Sequence, residues 1–171
     1  MTRLISMARL ALGLGLLCLA PAAAWALGEV APDFTLRDID NQSVSLSSTK
    51  GKVVLVSFWA TWCGPCQVEK PHIQKMYSDL ASKGFTVLSV SADDARTASM
   101  VKPLIKKNGY TFPVLLDKET TVVAQYNPSK TLPYSVLIDR DGKIAKVHQG
   151  YNPGDEVGLK KEVEALLAAG N

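Results

Sequence analysis

Between residues 32 and 48, "PDFTLRDIDNQSVSLSS" alternates apolar and polar side chains on both sides of "DIDNQ", the pattern of a β-hairpin. The acids of that turn lack the glycine and terminal glutamate of an EF-hand, so they read as turn chemistry rather than a calcium site. "GKVVLVSFWA", 51–60, is a nearly unbroken apolar, β-branched run and predicts a strand covered on both faces. From Cys63 to Lys83 the period becomes helical, with Ile73, Met76, Tyr77 and Leu80 on one stripe. "FTVLSVS", 85–91, is a second buried strand, and "DARTASMVKPLIKKNG", 94–109, a second helix bent or broken at Pro103. "FPVLL" reads as a short strand and "ETTVVAQY" as a short helix. "PYSVLIDRDGKIAKVHQGY", 133–151, is a hairpin about "DRDG", and "GDEVGLKKEVEALLAAG", 154–170, a closing amphipathic helix. Helices interleaved with buried strands give a three-layer α/β domain, with parallel pairs in the centre and antiparallel strands added by the hairpins.

The first 26 residues break this pattern. Arg3 and Arg9 precede the apolar run "LALGLGLLCLA", followed by "PAAAWA", which is the order of a secretory signal. Cleavage after Ala26 leaves one domain of 27–171, with Ala24 a second possible cleavage point; an uncleaved N-terminal membrane anchor is the alternative. Cys18 follows Leu17 rather than a small residue, which argues against lipidation. Losing this segment removes two of 19 basic residues and none of 16 acidic ones, so the mature charge is nearly balanced. Nucleic acid, which demands a concentrated basic surface, is not an expected partner. Lys106-Lys107 and Lys160-Lys161 read as solvated helix faces.

Without Cys18, only Cys63 and Cys66 remain of the three cysteines. So short a loop restricts the unfolded chain little, and the pair points to chemistry rather than to a staple. A structural zinc site needs four ligands, and only His72 and His148 stand by, so no metal is expected. Cys63 falls at the first turn of a helix, where free amides and the helix dipole favour a thiolate. Cys66 is spaced to attack a mixed disulfide formed by Cys63, with Gly64 and Pro65 making the connecting turn stiff. Glu69 shares a helical face with Ile73, Met76 and Leu80; on that buried side its pKa should rise, letting it take the proton of Cys66. A glutamate reaching solvent or pairing with Lys70 is the structural alternative. Pro71 is expected to kink this helix.

The residues "WCGPC", 62–66, resemble the active-site motif of the thioredoxin superfamily. "APDFTL", "GKVVLVSFWATWCGPC", "EKP" and "LPYSVLIDRDGKI" occur in the order found in the TlpA/ResA type of exported thiol–disulfide oxidoreductase, and cover nearly all of 30–168. This resemblance implies a thioredoxin-like three-layer sandwich with a mixed central sheet, an N-terminal β-hairpin and a central insertion from about Ser91 to Leu116. It also implies that Pro133 is cis and docks substrate chains together with Leu132 and Trp62, and that Glu69 is the family's buried active-site glutamate. Leu132 and Tyr134 depart from the residues usual around that proline. "KTLPYS" also lacks the Gly-x-Pro-Glu-type segment of the cytochrome-maturation branch, which counts against that specific task.

The function expected is a periplasmic protein thiol–disulfide oxidoreductase, favoured in the reductase direction, monomeric and without cofactor. Its expected partners are oxidised proteins, apocytochrome c among the candidates, and a membrane electron donor of the DsbD or CcdA type. A peroxiredoxin-like thiol peroxidase is an alternative, though Thr61 precedes Cys63 by only two and no arginine lies near. A binding or chaperone module with an idle disulfide is another.

Overall fold

The structure, a computed structural model, describes residues 27–169; the leader expected at 1–26 lies outside the described residues. The strands are β1 (Thr35–Asp38), β2 (Ser43–Ser45), β3 (Val53–Trp59), β4 (Phe85–Ser91), β5 (Val114–Leu116), β6 (Tyr134–Ile138) and β7 (Ile144–Gln149). The α-helices are α1 (Gly64–Leu80), α2 (Val101–Asn108), α3 (Thr121–Tyr126) and α4 (Asp155–Ala169). One mixed sheet runs in the order β2-β1-β5-β4-β3-β6-β7, parallel across β5-β4-β3 and antiparallel elsewhere.

Every residue of β3 and β4 is buried, as continuous apolar runs require of strands covered on both faces. The side chains divide by parity. Val53, Leu55 and Trp59 join a cluster with Cys63, Cys66, Ile73 and Met76 from the α1 segment and Leu159 and Val163 of α4. Val54, Val56 and Phe58 join another with Val122, Val123 and Tyr126 of α3, together with Phe34 and Leu46. At about 1.5–3 kcal/mol for each large apolar side chain withdrawn from water, these two layers hold the sheet between its helices.

The chain turns from α1 into β4 through a 3-10 turn, Ala81–Lys83, and Gly84 at φ 93°. That left-handed backbone selects glycine, which alone adopts it without a Cβ penalty. The second helix differs from expectation. α2 begins only at Val101, after a 3-10 turn at Ala98–Met100, so Pro103 lies in its first turn, where the missing amide is tolerated, and not at a mid-helix break. The 91–116 segment thus supplies α2 and β5, and it packs Val101, Ile105 and Phe112 onto the α1 side of the sheet. α1 runs through Pro71 to Leu80.

Candidate active site

β3 ends at Trp59 and α1 begins at Gly64, which leaves four residues, Ala60 to Cys63, to turn the chain. Cys63 caps α1: its backbone is extended, and its sulfur accepts the Cys66 amide at 3.3 Å. Gly64 and Pro65 occupy the first turn, where proline's fixed φ and absent amide suit a helix start. Cys63 and Cys66 are joined as a disulfide with Cα atoms 5.3 Å apart. Both sulfurs sit low. Cys63 is 5% exposed and Cys66 0%, so among the described residues the disulfide is approached at the edge of Cys63, between exposed Trp62 and exposed Gly64 and Pro65. The Gln67 side chain donates back to the carbonyls of Ala60 and Thr61, at 3.2 and 3.4 Å.

Leu132 and Pro133 arrive at the same end of the sheet. Phe58 of β3 pairs with Tyr134 of antiparallel β6, so the chain enters β6 beside the point where it leaves β3. The Leu132-Pro133 bond is cis. Leu132 packs against the cluster that holds both cysteines, while Pro133 is buried and its carbonyl accepts the Gly150 amide at 2.8 Å.

Glu69 is 7% exposed, one turn beyond Cys66. Burial pushes its carboxyl up, the neighbouring Lys70 charge pulls it back, and Asp155 raises it again, to a pKa of about 7. It borders a cleft of about 70 Å³ lined by His148, Tyr151, Asp155, Glu156 and Leu159. Its titration is therefore moved from the acid range toward neutrality, where a group can both accept and return a proton.

The helical pattern as applied to Glu69 missed its neighbour. Lys70 is fully buried, with Nζ 3.6 Å from the centroid of the Trp59 ring and 3.0 Å from Ser89 Oγ, to which it donates. Burial holds its pKa well below the ordinary lysine range, against the opposing pull of Glu69 and Asp93. The signal was present in the spacing, since positions 66, 70 and 73 follow the i, i+4, i+7 stripe that carries Cys66 and Ile73 inward. Asp93, also fully buried, falls between the strand and the helix that the sequence predicts, and an acid beside Asp94 in a polar stretch carries no sequence signal of burial. Of the two histidines, His148 is hydrogen-bonded through Nε2 to Glu162 at 2.7 Å, while His72 Nδ1 lies 3.8 Å from Glu156.

The family model described as Redoxin matches residues 26–167. The thiol-disulfide oxidoreductase ResA of Bacillus cereus is 37% identical over 120 residues, covering 70% of this chain and 68% of the relative. A Chlorobium tepidum structure provisionally named a thiol:disulfide interchange protein DsbE superposes with a TM-score of 0.75 at 35% identity, covering 83% of this chain and 98% of the other. The thioredoxin domain of a Bacteroides vulgatus thiol-disulfide oxidoreductase does so with a TM-score of 0.71 at 33% identity, over 84% and 99% of the two chains. With a thioredoxin-like sheet and a Cys-Gly-Pro-Cys disulfide at the head of its first helix, the chain belongs to the Redoxin family, among the ResA-like thiol-disulfide oxidoreductases.

Proposed function

We propose that the protein works as a reductase of protein disulfides in the periplasm, after its N-terminal 26 residues have exported it. The observation that carries the chemistry is the capping position of Cys63. Its sulfur meets a helix amide, which favours the thiolate needed for attack. In the reduced enzyme, Cys63 thiolate attacks a substrate disulfide. A Cys63–substrate bond forms, and the displaced substrate sulfur leaves as a thiolate that takes a proton. Glu69 then accepts the Cys66 proton, Cys66 attacks Cys63, and the second substrate sulfur departs. Two electrons pass from the cysteine pair to the substrate, and no cofactor is required. Trp62, Leu132 and Pro133 frame the Cys63 edge, where an extended substrate segment could pair with the Leu132 backbone as an added strand pairs with a sheet edge.

The Gly-Pro dipeptide between the cysteines supports the reductase direction, since it is thioredoxin's own and thioredoxin lies near about −270 mV, against about −120 mV for the oxidant DsbA. Working so low in an oxidising compartment implies a membrane electron donor of the DsbD or CcdA type. The substrates are oxidised proteins, with apocytochrome c one candidate, and the enzyme acts as a monomer. Equilibration of the 27–171 chain with glutathione buffers tests the direction. A midpoint near the thioredoxin value is expected, and one near that of DsbA would replace reductase by oxidase.

A further inference from the structure

The parallel ladder between β3 and β4 ends at the pair Trp59 and Ser91, and the Ala92 amide adds one more bond to the Trp59 carbonyl at 2.8 Å. Beyond that point the β3 strand has no backbone partner on this side among the described residues, yet its next residues must deliver Cys63. A side chain takes over. Asp93 Oδ2 accepts the Thr61 amide at 2.8 Å, and Oδ1 accepts the Thr61 hydroxyl at 2.5 Å. Oδ2 also accepts Ser91 Oγ at 2.8 Å, and Ser91 Oγ in turn accepts the Asp93 amide at 3.2 Å.

We propose that Asp93 is a positioning residue for disulfide exchange: its carboxylate clamps Thr61 and so fixes the turn that presents Cys63 to substrate. A carboxylate that is 0% exposed is costly to bury, and three hydrogen-bond donors compensate that cost here. Ending a strand requires no buried charge, since a backbone turn or a neutral hydroxyl serves. What the bidentate grip adds is orientation, because it holds both the amide and the side chain of one residue two positions before the nucleophile. Cys63 N also donates to the Ala60 carbonyl at 3.1 Å, so displacement of Thr61 is carried directly into the cysteine. In-line attack on a disulfide depends on the placement of the incoming sulfur, and an error of about 1 Å can cost on the order of a hundredfold.

The test is the rate at which the reduced 27–171 protein exchanges with a small disulfide-containing peptide, alongside the pH titration of Cys63 alkylation. Thr61→Val removes the hydroxyl donor and keeps shape, and Thr61→Ser restores it. The expected result is a loss of about tenfold or more for Thr61→Val, recovery in Thr61→Ser, and a displaced Cys63 titration in the slow variant. Asp93→Asn should be slow as well, and the double variant Asp93→Asn/Thr61→Val no slower than the worse single one, because both remove one clamp. Should Asp93→Asn fail to fold, the Thr61 pair alone decides. Val122→Ala, a cavity in the α3-side core rather than in the one that holds both cysteines, is the stability control. Wild-type exchange in Thr61→Val, a loss that Thr61→Ser does not repair, or an equal loss in Val122→Ala would overturn the assignment.

Discussion

Glu69 shows how one side chain can be tuned by its place on a helix. Its carboxyl is raised chiefly because folding strips water from it, and Lys70, beside it in sequence, offsets only part of that effect. Raised from 4.5 to about 7, the group binds more protons in the folded than in the unfolded state between those values. Its contribution to stability is therefore fully present below pH 4.5 and is lost as pH rises through about 7, a swing of up to about 3 kcal/mol. Urea unfolding across that window should show wild type losing stability with rising pH more steeply than Glu69→Gln. Equal slopes would mean that the carboxyl is not perturbed. For the proposed role of Glu69 as base the sign reverses, since a base works only when ionised. Resolution of the mixed disulfide should quicken through pH 7 in wild type, and Glu69→Gln should lose that limb and slow by about a hundredfold at neutral pH. Stopped-flow decay of a Cys63-linked mixed disulfide measures it; an unchanged profile would leave Glu69 a packing residue.

At the scale of elements, α1 carries the site because its two ends are specified differently. The N-terminus is built from Cys63 as cap and Pro65 within the first turn, so the helix starts at the sulfur. The unpaired amides there stabilise a thiolate on Cys63, while Cys66, inside the helix and fully buried, lacks that advantage. Alkylation of the reduced protein at pH 7 should strike Cys63 about tenfold or more faster than Cys66, from a pKa below the free value of about 8.5. Peptide mapping after a short pulse of iodoacetamide reads the ratio, and equal labelling would remove the assignment. The same helix explains what was legible beforehand. The apolar stripe and the motif fix α1, its inward face and Glu69 from sequence alone, because period and spacing are local properties. Lys70 escaped because its charge outweighed its position on the stripe. The Thr61 clamp escaped because its partner lies 32 residues away, across a parallel pairing that no local pattern encodes. The α2 boundary moved for the converse reason: the 3-10 turn at Ala98–Met100 occupies residues whose composition also suits a helix.

For the whole molecule, the hydrophobic pattern was enough to set the layers, since the alternating parity of β3 assigns each side chain to one of two cores. The family resemblance implied the mixed sheet and its hairpin, and β1 and β2 close one edge as that hairpin, while the order of the strands came from the structure alone. The segment that leads into the fold is tied at the other edge of the sheet. Gly28 N donates to the Ile144 carbonyl at 2.8 Å, Ile144 N to the Glu29 carbonyl at 2.8 Å, and Ala31 N to the Gly142 carbonyl at 2.9 Å. Val30 bridges Lys143 in an antiparallel sense, and Ala31 is buried against Phe34 and Ile144 in the α3-side core. The folded unit therefore begins almost where the leader is expected to end, with no slack between them. A chain starting at Leu27 should keep the full stability of the domain. One starting at Asp33 loses three backbone hydrogen bonds, the bond from the Tyr126 hydroxyl to the Pro32 carbonyl and the Ala31 contact, at about 0.5–1.5 kcal/mol for each bond. Urea unfolding of the two chains should then differ by about 2–6 kcal/mol, with the redox midpoint of Cys63 and Cys66 unchanged because the tie is made at the start of β7, away from the Cys63 turn. Equal unfolding midpoints would show that residues 27–32 are a leash rather than part of the sheet.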